Sequence, residues 1–286
     1  MKKEKHLLSV SCHKKKWWIY VVWILLPLIS SAQKNCSVTN QTFQSGEQLN
    51  FVVNYNWGAI WMTMAEVTFS ANITELNGRK VYRFTGNGGT YPKYDWFFKV
   101  RDMYESYTDT VTLAPIRFRR EVNEGSHHAK DDYVFNHKKN KVYISEQRKD
   151  KSRFDSLSIT SCTNDVMTSI FYARCLDFSA YQPNDTIPIS FVLDGEIFNS
   201  YIRYVGTEVI YSELLGNVRC IKFKPKLLEG TIFKGGEGMT VWVTDDKNKM
   251  PVYVETPIIV GTIKVNLNKY SGLRHPINCF VSKAKE

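Results

Sequence analysis

Apolar and polar residues alternate along much of the chain, and the longest alternation runs from Leu49 to Ala71. A period of two is typical of a β-strand that buries one of its faces. With the exception of Thr63, every odd-numbered position of this segment is apolar: Leu49, Phe51, Val53, Tyr55, Trp57, Ala59, Trp61, Ala65, Val67, Phe69 and Ala71. The pattern therefore predicts that the odd-numbered side chains, including Trp57 and Trp61, belong to a core.

The even-numbered positions change character along the same segment. They are polar at Asn50, Asn54 and Asn56, apolar at Ile60, Met62 and Met64, and polar again at Glu66, Thr68 and Ser70. A strand averages about 5–6 residues, so this segment should turn, and Gly58 is the natural place. A two-residue hairpin loop pairs residues of opposite parity. A constant odd face therefore requires an odd-numbered loop or a β-bulge.

Short β-like segments continue through the rest of the chain. They are Lys80–Thr85, Trp96–Arg101, Ile116–Val122, Tyr133–Asn136, Val142–Glu146, Ile187–Leu193, Ile197–Tyr204, Glu208–Leu214, Val218–Phe223, Met239–Thr244, Val252–Thr256 and Thr262–Leu267. Turn-forming pairs such as Asn77-Gly78 and Asp194-Gly195 separate several of them. The sequence predicts an antiparallel, mainly β protein.

One segment has a helical period instead. From Asn164 to Leu176, apolar residues recur at helical intervals behind the capping candidates Thr163 and Asn164. The predicted fold class is mainly β, with curved antiparallel sheets forming an open barrel or sandwich and one amphipathic helix near residues 164–176. We expect a single domain over residues 33–286, or two interlocked β halves divided near residues 160–180.

Residues 1–32 have the pattern of a secretory signal peptide. Six lysines precede a 13-residue apolar run, Trp17–Ile29, and small residues end at Ala32. The run is shorter than the roughly 20 residues that span a bilayer. We expect cleavage after Ala32 and export to the periplasm or the outer membrane. Cleavage lowers the formal charge from +10 to +5, because six lysines and Glu4 are removed. No basic segment remains that resembles a nucleic-acid-binding arm.

Catalytic and metal-binding patterns are weak in this sequence. His127 and His128 precede Asp131 and Asp132, but adjacent histidines on a strand point to opposite faces, so we expect no metal site. The carboxylates of Asp102, Glu105 and Asp109 would serve an enzyme only if they converged in a cleft. The sequence therefore favours a protein without enzymatic activity and without a cofactor.

Aromatic and methionine residues give the strongest remaining signal. They concentrate within 42 residues of sequence: Trp57, Trp61, Met62, Met64, Tyr91, Tyr94, Trp96, Phe97 and Phe98. Such residues fill cores, but methionine also adapts to irregular apolar ligands. If the even-numbered face lines a lumen, the ligand-binding candidates are Ile60, Met62, Met64 and Trp96.

Several phrases, taken in order, resemble the Domain of Unknown Function 3108 family of exported bacterial proteins. They are "FQSGEQLNFVVNYNW" (43–57), "FFKVRDMYESYTDTVTLAP" (97–115), "DVMTSIFYAR" (165–174), "LDGE" (193–196), "VWVTDDKNKMPVYVE" (241–255) and "GTIKVNL" (261–267). "SGLRHP" (271–276) resembles a phrase of the Bacteroidetes-type members. The resemblance implies an exported, mainly β protein with no assigned activity and no catalytic residues to carry over.

Cysteine spacing alone leaves the disulfide pairing open. Five cysteines follow the predicted cleavage site: Cys36, Cys162, Cys175, Cys220 and Cys279. None forms a C-x-x-C motif, and an odd number leaves at least one free thiol. The family resemblance implies a disulfide between Cys162 and Cys220, since Bacteroidetes-type members carry cysteines near those positions.

Two functional hypotheses follow. The first is a cell-envelope protein that binds an apolar or lipid-like ligand inside a curved sheet beside the helix. The second is an extracytoplasmic glycan-binding or scaffolding protein that uses Tyr91, Tyr94 and Trp96 as stacking platforms. Exposure of those rings beside polar groups would favour the second, whereas an apolar lumen would favour the first.

Overall fold

The computed structural model describes residues 38–96, 98–229 and 234–281, all within one compact unit, residues 35–286. The predicted signal peptide lies outside the described residues. The strands are β1 Glu47–Trp57, β2 Ile60–Leu76, β3 Arg79–Thr90, β4 Arg101–Asp109, β5 Pro115–Glu124, β6 His127–Asn136, β7 Lys141–Arg148, β8 Lys151–Ser158, β9 Thr163–Asp165, β10 Thr186–Leu193, β11 Glu196–Ser212, β12 Gly216–Pro225, β13 Leu227–Glu229, β14 Lys234–Gly236, β15 Thr240–Thr244, β16 Pro251–Pro257 and β17 Thr262–Ser271. Helix α1 spans Val166–Arg174.

Fifteen strands form one sheet in the order β8-β7-β6-β5-β4-β3-β2-β1-β17-β16-β15-β12-β11-β10-β9. β13 and β14 form a separate small hairpin. Every pairing in the large sheet is antiparallel except that of β9 with β10. Among the described strands, the hydrogen-bonded order does not close on itself, and its two ends, β8 and β9, are neighbours in sequence. The predicted mainly β fold with an open, barrel-like curved sheet is confirmed.

A β-bulge explains the two apolar faces of the β1–β2 hairpin. The turn has two residues, Gly58 and Ala59, and Val53 pairs with Ala65 whereas Tyr55 pairs with Met62. Met64 is the extra residue, so the parity of the face changes at this point. The predicted bulge is present, but the prediction that Trp61 belongs to the core is wrong. Trp61 lies on the opposite face and is 56% exposed. The side chain of Trp57 lies outside the described residues.

Helix α1 packs against the sheet and fills part of its interior. Its N-cap is Asp165, one residue after the predicted cap positions Thr163 and Asn164. The Asp165 side chain accepts a hydrogen bond from the Thr168 backbone N–H at 2.8 Å. The helix contacts β3 and β4 on one side and β9 and β10 on the other. A Cβ atom at Gly86 of β3 would lie 3.1 Å from the Met167 sulfur, so glycine gives the helix room to approach.

A buried ion pair fixes the end of the helix. Arg174 donates hydrogen bonds to both carboxylate oxygens of Glu47, at 2.5 and 3.1 Å. The same guanidinium donates to the carbonyl oxygens of Asn248 and Lys249. Both charged side chains are almost completely buried. The helix is thereby tied to the start of β1 and to the turn before β16.

Four charged residues join the two ends of the sheet order. Asp194, in the β10–β11 turn, pairs with Arg120 of β5 and with Arg148 of β7, and both arginines also pair with the buried carboxylate of Asp131. We call Arg120, Asp131, Arg148 and Asp194 the ionic clasp. The next residue, Gly195, donates its backbone N–H to the Tyr133 hydroxyl at 3.2 Å. Side-chain contacts therefore hold the turn against β5, β6 and β7.

The clasp predicts a dependence of stability on pH. Burial alone would raise the pKa of Asp194, but Arg120 and Arg148 outweigh burial and lower the pKa below its ordinary 3.8. A lowered folded-state pKa stabilises the fold above the ordinary value, and this contribution disappears as the pH falls through the folded pKa. We expect Asp194→Asn to lower the free energy of unfolding at pH 7 and 5, and to lower it by less at pH 2.5, because the contribution of Asp194 declines below its ordinary pKa.

Urea unfolding of wild type and Asp194→Asn at those three pH values measures this effect. Asparagine tolerates the positive φ of Asp194, 47°, so backbone strain should not contribute. Asp150→Asn, in the exposed turn between β7 and β8, is the matched control and should leave stability unchanged. A difference between Asp194→Asn and wild type that is the same at all three pH values would contradict the electrostatic account.

Two further sequence predictions need correction. The segment predicted as a strand at Trp96–Arg101 is mostly loop, and a short 3₁₀ turn, Pro92–Tyr94, precedes it. The disulfide Cys162–Cys220 is wrong, because Cys220 is a free thiol buried beside Cys279. Burial raises the pKa of the Cys220 thiol to about 12. Cys162 is disulfide-bonded, and the free thiols Cys175, Cys220 and Cys279 are not its partner.

Candidate functional site

The inner face of the sheet, which carries the helix, continues beyond the core as a half-buried apolar surface. Directly paired residues share a face, so the register places the following side chains together: Val53, Tyr55, Met62, Ala65, Ile263 and Val265. We call these six residues the apolar wall. Each of them is partly exposed, whereas Leu49, Phe51 and Leu267, further along the same strands, are buried. The face therefore changes from packed core to accessible surface within two residues of Phe51.

The helix explains why only part of this face is filled. Phe171 stacks on Phe84 with the ring centroids 4.0 Å apart, and Phe43 meets Phe171 edge-on at 5.2 Å. These rings, with Met167, occupy the interior beside the buried ends of β2 and β3. Val53 and Met62 lie beyond them and are only half-buried. The wall is therefore an apolar surface continuous with the core.

Of the four predicted ligand-binding residues, the bulge brings two to the inner face. Met62 belongs to the wall, and Ile60 pairs with Trp57 at the end of the same hairpin. Met64 is the half-buried bulge residue itself. Trp96 is 82% exposed in the loop between β3 and β4. The apolar residues Ile263 and Val265 of β17 are the sequence signal that could have located the wall. No sequence pattern, however, fixes the register of β17 against β1.

Exposed apolar side chains lie at the same end of the sheet as the wall. Ile60 and Trp61 begin β2, Trp96 and Phe98 lie in the β3–β4 loop, and Ile259 and Val260 lie in the β16–β17 loop. We call these six residues the apolar rim. The tips of two hairpins touch, because the Tyr55 hydroxyl donates a hydrogen bond to the Val260 carbonyl oxygen at 2.9 Å. The β3–β4 loop begins beside the bulge, where the Tyr91 N–H donates to the Met64 carbonyl.

A second concave feature lies on the opposite face of the sheet. It is a shallow groove of about 540 Å³, and its lining includes Glu66, Thr68, Asn87, Tyr91, Met103, Glu121 and Asn123. By register, Glu66, Thr68 and Asn87 lie on the face away from the helix. Tyr91 is half-buried beside these polar groups, an arrangement that suits a polar ligand better than an apolar one.

The three acidic residues considered for catalysis do not converge. Asp102 lies on the inner face with Ser106, whereas Glu105 and Asp109 lie on the other face and pair with Arg83 and Arg79. Asp102 instead lies close to Glu124, and burial followed by the Asp102 charge raises the pKa of Glu124. This pair gives the inner face a small acidic region on β4 and β5.

The metal-binding possibilities are equally limited in the part of the chain that the structure describes. His127 and His128 are exposed at the start of β6, and a ring nitrogen of His128 is 2.9 Å from the Asn123 side-chain oxygen. Carboxylate oxygens of Asp131, Glu146 and Asp194 lie within 4.8 Å of one another. The arginines of the ionic clasp already neutralise Asp131 and Asp194. The arrangement is therefore a salt-bridge network.

Comparison with known families agrees with this architecture. The model of a family described as "Protein of unknown function (DUF3108)" matches residues 50–268, which contain all residues of the wall and of the rim. The chain belongs to this family. Membership supports the resemblance seen in the sequence and assigns no activity. A search of curated proteins found no match.

The fold is also similar to a solved structure, described as a beta-barrel-like protein of domain of unknown function DUF1849 from Brucella abortus. The TM-score is 0.55 with 8% sequence identity, and the alignment covers 80% of this chain and 98% of the other. At this identity the similarity concerns the fold alone. Among the described residues of this protein, no helix has both the length and the hydropathy needed to cross a membrane.

Proposed function

We propose that this DUF3108 family member is an exported, non-enzymatic protein of the cell envelope that binds an apolar or lipid-like ligand against the apolar wall. The observation that carries the proposal is the bulge at Met64, which turns Met62 and Ile60 toward the inner face. Apolar surface left half-exposed next to a packed core is what an acyl chain would cover. The predicted signal peptide supports export.

The wall has the chemistry for such a ligand. Met62 is a flexible side chain that adapts to irregular apolar shapes, and Tyr55 adds an aromatic surface. The neighbouring strand β16 adds Val254, which pairs with Val265. On the inner face of β4 and β5, Asp102 and Glu124 lie close together and add polar groups. This combination favours an amphiphile over a purely hydrocarbon ligand.

Replacement of a wall residue by a charged one tests the proposal. We expect Met62→Glu to weaken binding of a fluorescent fatty-acid probe by roughly tenfold or more, because an acyl chain cannot pair with a buried carboxylate. Titration of the probe in solution measures the affinity. Organic extraction of the wild-type protein, purified from the periplasm, followed by mass spectrometry should also identify co-purified lipid.

The matched control is Thr63→Glu. Thr63 is the next residue of the same strand, is exposed and faces the other way, with its hydroxyl hydrogen-bonded to Asn54 at 2.8 Å. The control should bind the probe like wild type. If Met62→Glu and wild type bind equally and no lipid co-purifies, the proposal fails. Retention of both variants on an envelope glycan would then favour glycan binding at the groove lined by Tyr91.

A further inference from the structure

The apolar rim brings together side chains that are far apart in sequence. Its six residues come from three separate segments at one end of the sheet, and each has between 44 and 82% of its surface exposed. Single exposed apolar residues are common on soluble proteins, but several at the same end of a sheet favour an interaction surface. Two of the six are tryptophans, the residue that concentrates at the interface between lipid and water.

Lysines lie beside the aromatic rings of this end. The Lys264 ammonium is 4.8 Å from the centre of the Trp61 ring, but it also pairs with Glu255 at 3.7 Å. The Lys93 ammonium is 4.9 Å from the centre of the Tyr94 ring, and both Lys93 and Lys99, which follows Phe98, are exposed. Apolar and aromatic groups with exposed lysines beside them suit an anionic lipid surface, where the rings enter the headgroup region and the ammonium groups of Lys93 and Lys99 stay among the phosphates.

The rim also adjoins the apolar wall. Ile60 of the rim and Met62 of the wall lie on the same face of β2, two residues apart. Tyr55 of the wall donates its hydroxyl to Val260 of the rim. An acyl chain that leaves a bilayer under the rim would therefore reach the wall along a continuous apolar surface.

We propose that the apolar rim docks this protein onto an anionic lipid surface, with the open end of the wall facing the bilayer. This inference deepens the proposed function and rests on it, since docking delivers the ligand to the wall. A second copy of the chain is a less suitable partner, because lysines would then face lysines across a symmetric contact.

Vesicle sedimentation tests the docking. The chain from Gln33 is used, so that the apolar run Trp17–Ile29 cannot itself anchor the protein, and vesicles contain phosphatidylcholine with or without phosphatidylglycerol. We expect binding that is stronger with phosphatidylglycerol, and a loss of roughly tenfold or more for Trp61→Ser combined with Ile259→Ser. Trp61→Phe combined with Ile259→Val should restore binding.

The matched control is Val209→Ser combined with Tyr211→Ser. Both side chains are exposed and apolar but lie near the β11–β12 turn, at the other end of the sheet, so binding should be unchanged. Circular dichroism confirms that each variant is folded. Wild type that fails to sediment with either vesicle, a rim variant that binds like wild type, or a dimer in solution that the rim variant abolishes would overturn the inference.

A second readout separates this inference from the proposed function. The same variants are titrated with the fatty-acid probe in the absence of vesicles. Probe uptake without vesicle binding would overturn docking and leave the apolar ligand in place. Vesicle binding without probe uptake in any variant would contradict the proposed function and leave a membrane-docking protein.

Discussion

Glu47→Gln is expected to lower the free energy of unfolding by about 3–5 kcal/mol, the range found when one partner of a buried ion pair is removed. Arg174 is 3% exposed, and within the described residues its guanidinium pairs with one carboxylate, that of Glu47. The glutamine side chain keeps the shape but not the charge, so a buried cation remains without a counter-ion. Urea unfolding at pH 7, followed by circular dichroism, measures the loss.

The double variant Glu47→Leu with Arg174→Met is the informative companion. It removes both charges, and we expect it to recover most of the lost stability, because well-packed apolar residues often replace a buried pair at little cost. If Glu47→Gln does not fold, folding of the double variant still shows that the unpaired charge causes the loss of stability. The surface pair Arg79–Asp109 serves as control, and Arg79→Met should cost less than about 1 kcal/mol. A loss of under 1 kcal/mol in Glu47→Gln would refute the account.

Phe171→Ala is expected to cost about 3–5 kcal/mol, as is typical when a buried phenylalanine is truncated. Phe171 is 2% exposed and lies between the rings of Phe84 and Phe43. The β-strands around it cannot collapse freely into the space, since their register is fixed by the sheet. Denaturant unfolding measures the loss, and a small aromatic ligand such as benzene should restore part of it by filling the cavity.

Ile170→Ala is the control for this substitution. Ile170 precedes Phe171 on the helix but is 37% exposed, so its truncation should cost under about 1 kcal/mol. If Phe171→Ala and Ile170→Ala lose equal stability, Phe171 does not fill the interior of the sheet. This result matters for the proposed ligand site, because the filled region near Phe171 and the accessible wall at Met62 belong to one apolar face.

The sequence predicts the fold class because the signals for it are local. Period-two alternation and Asn-Gly or Asp-Gly turns identify the strands, and the helical spacing of Val166, Met167, Ile170 and Phe171 identifies α1. These local signals do not identify the strand β8. Its sequence, Lys151–Ser158, is polar and largely exposed because it forms an edge of the sheet, so no buried face is present to produce alternation.

The site is harder to predict because it depends on register. The alternation of Leu49–Ala71 predicts a bulge or an odd-numbered loop, but not where the bulge lies. Its position at Met64 decides that Met62 is on the inner face and Trp61 on the outer one. The pairing of Cys162 with Cys220 rested on the family resemblance, since cysteine spacing leaves the partners open, and in the structure Cys220 lies beside Cys279 next to the bridge between Val218 and Phe280.

The ends of the sheet order are joined by side chains. A fully hydrogen-bonded barrel has a circumference set by its strands, and to widen it would break a row of backbone bonds. In this protein, β8 and β9 end the sheet order, and Arg120 and Arg148 reach across to Asp194. A change in the spacing of these ends would therefore disturb the clasp and the core packing of Val192 against the β5–β7 side chains, and it would leave every strand ladder intact.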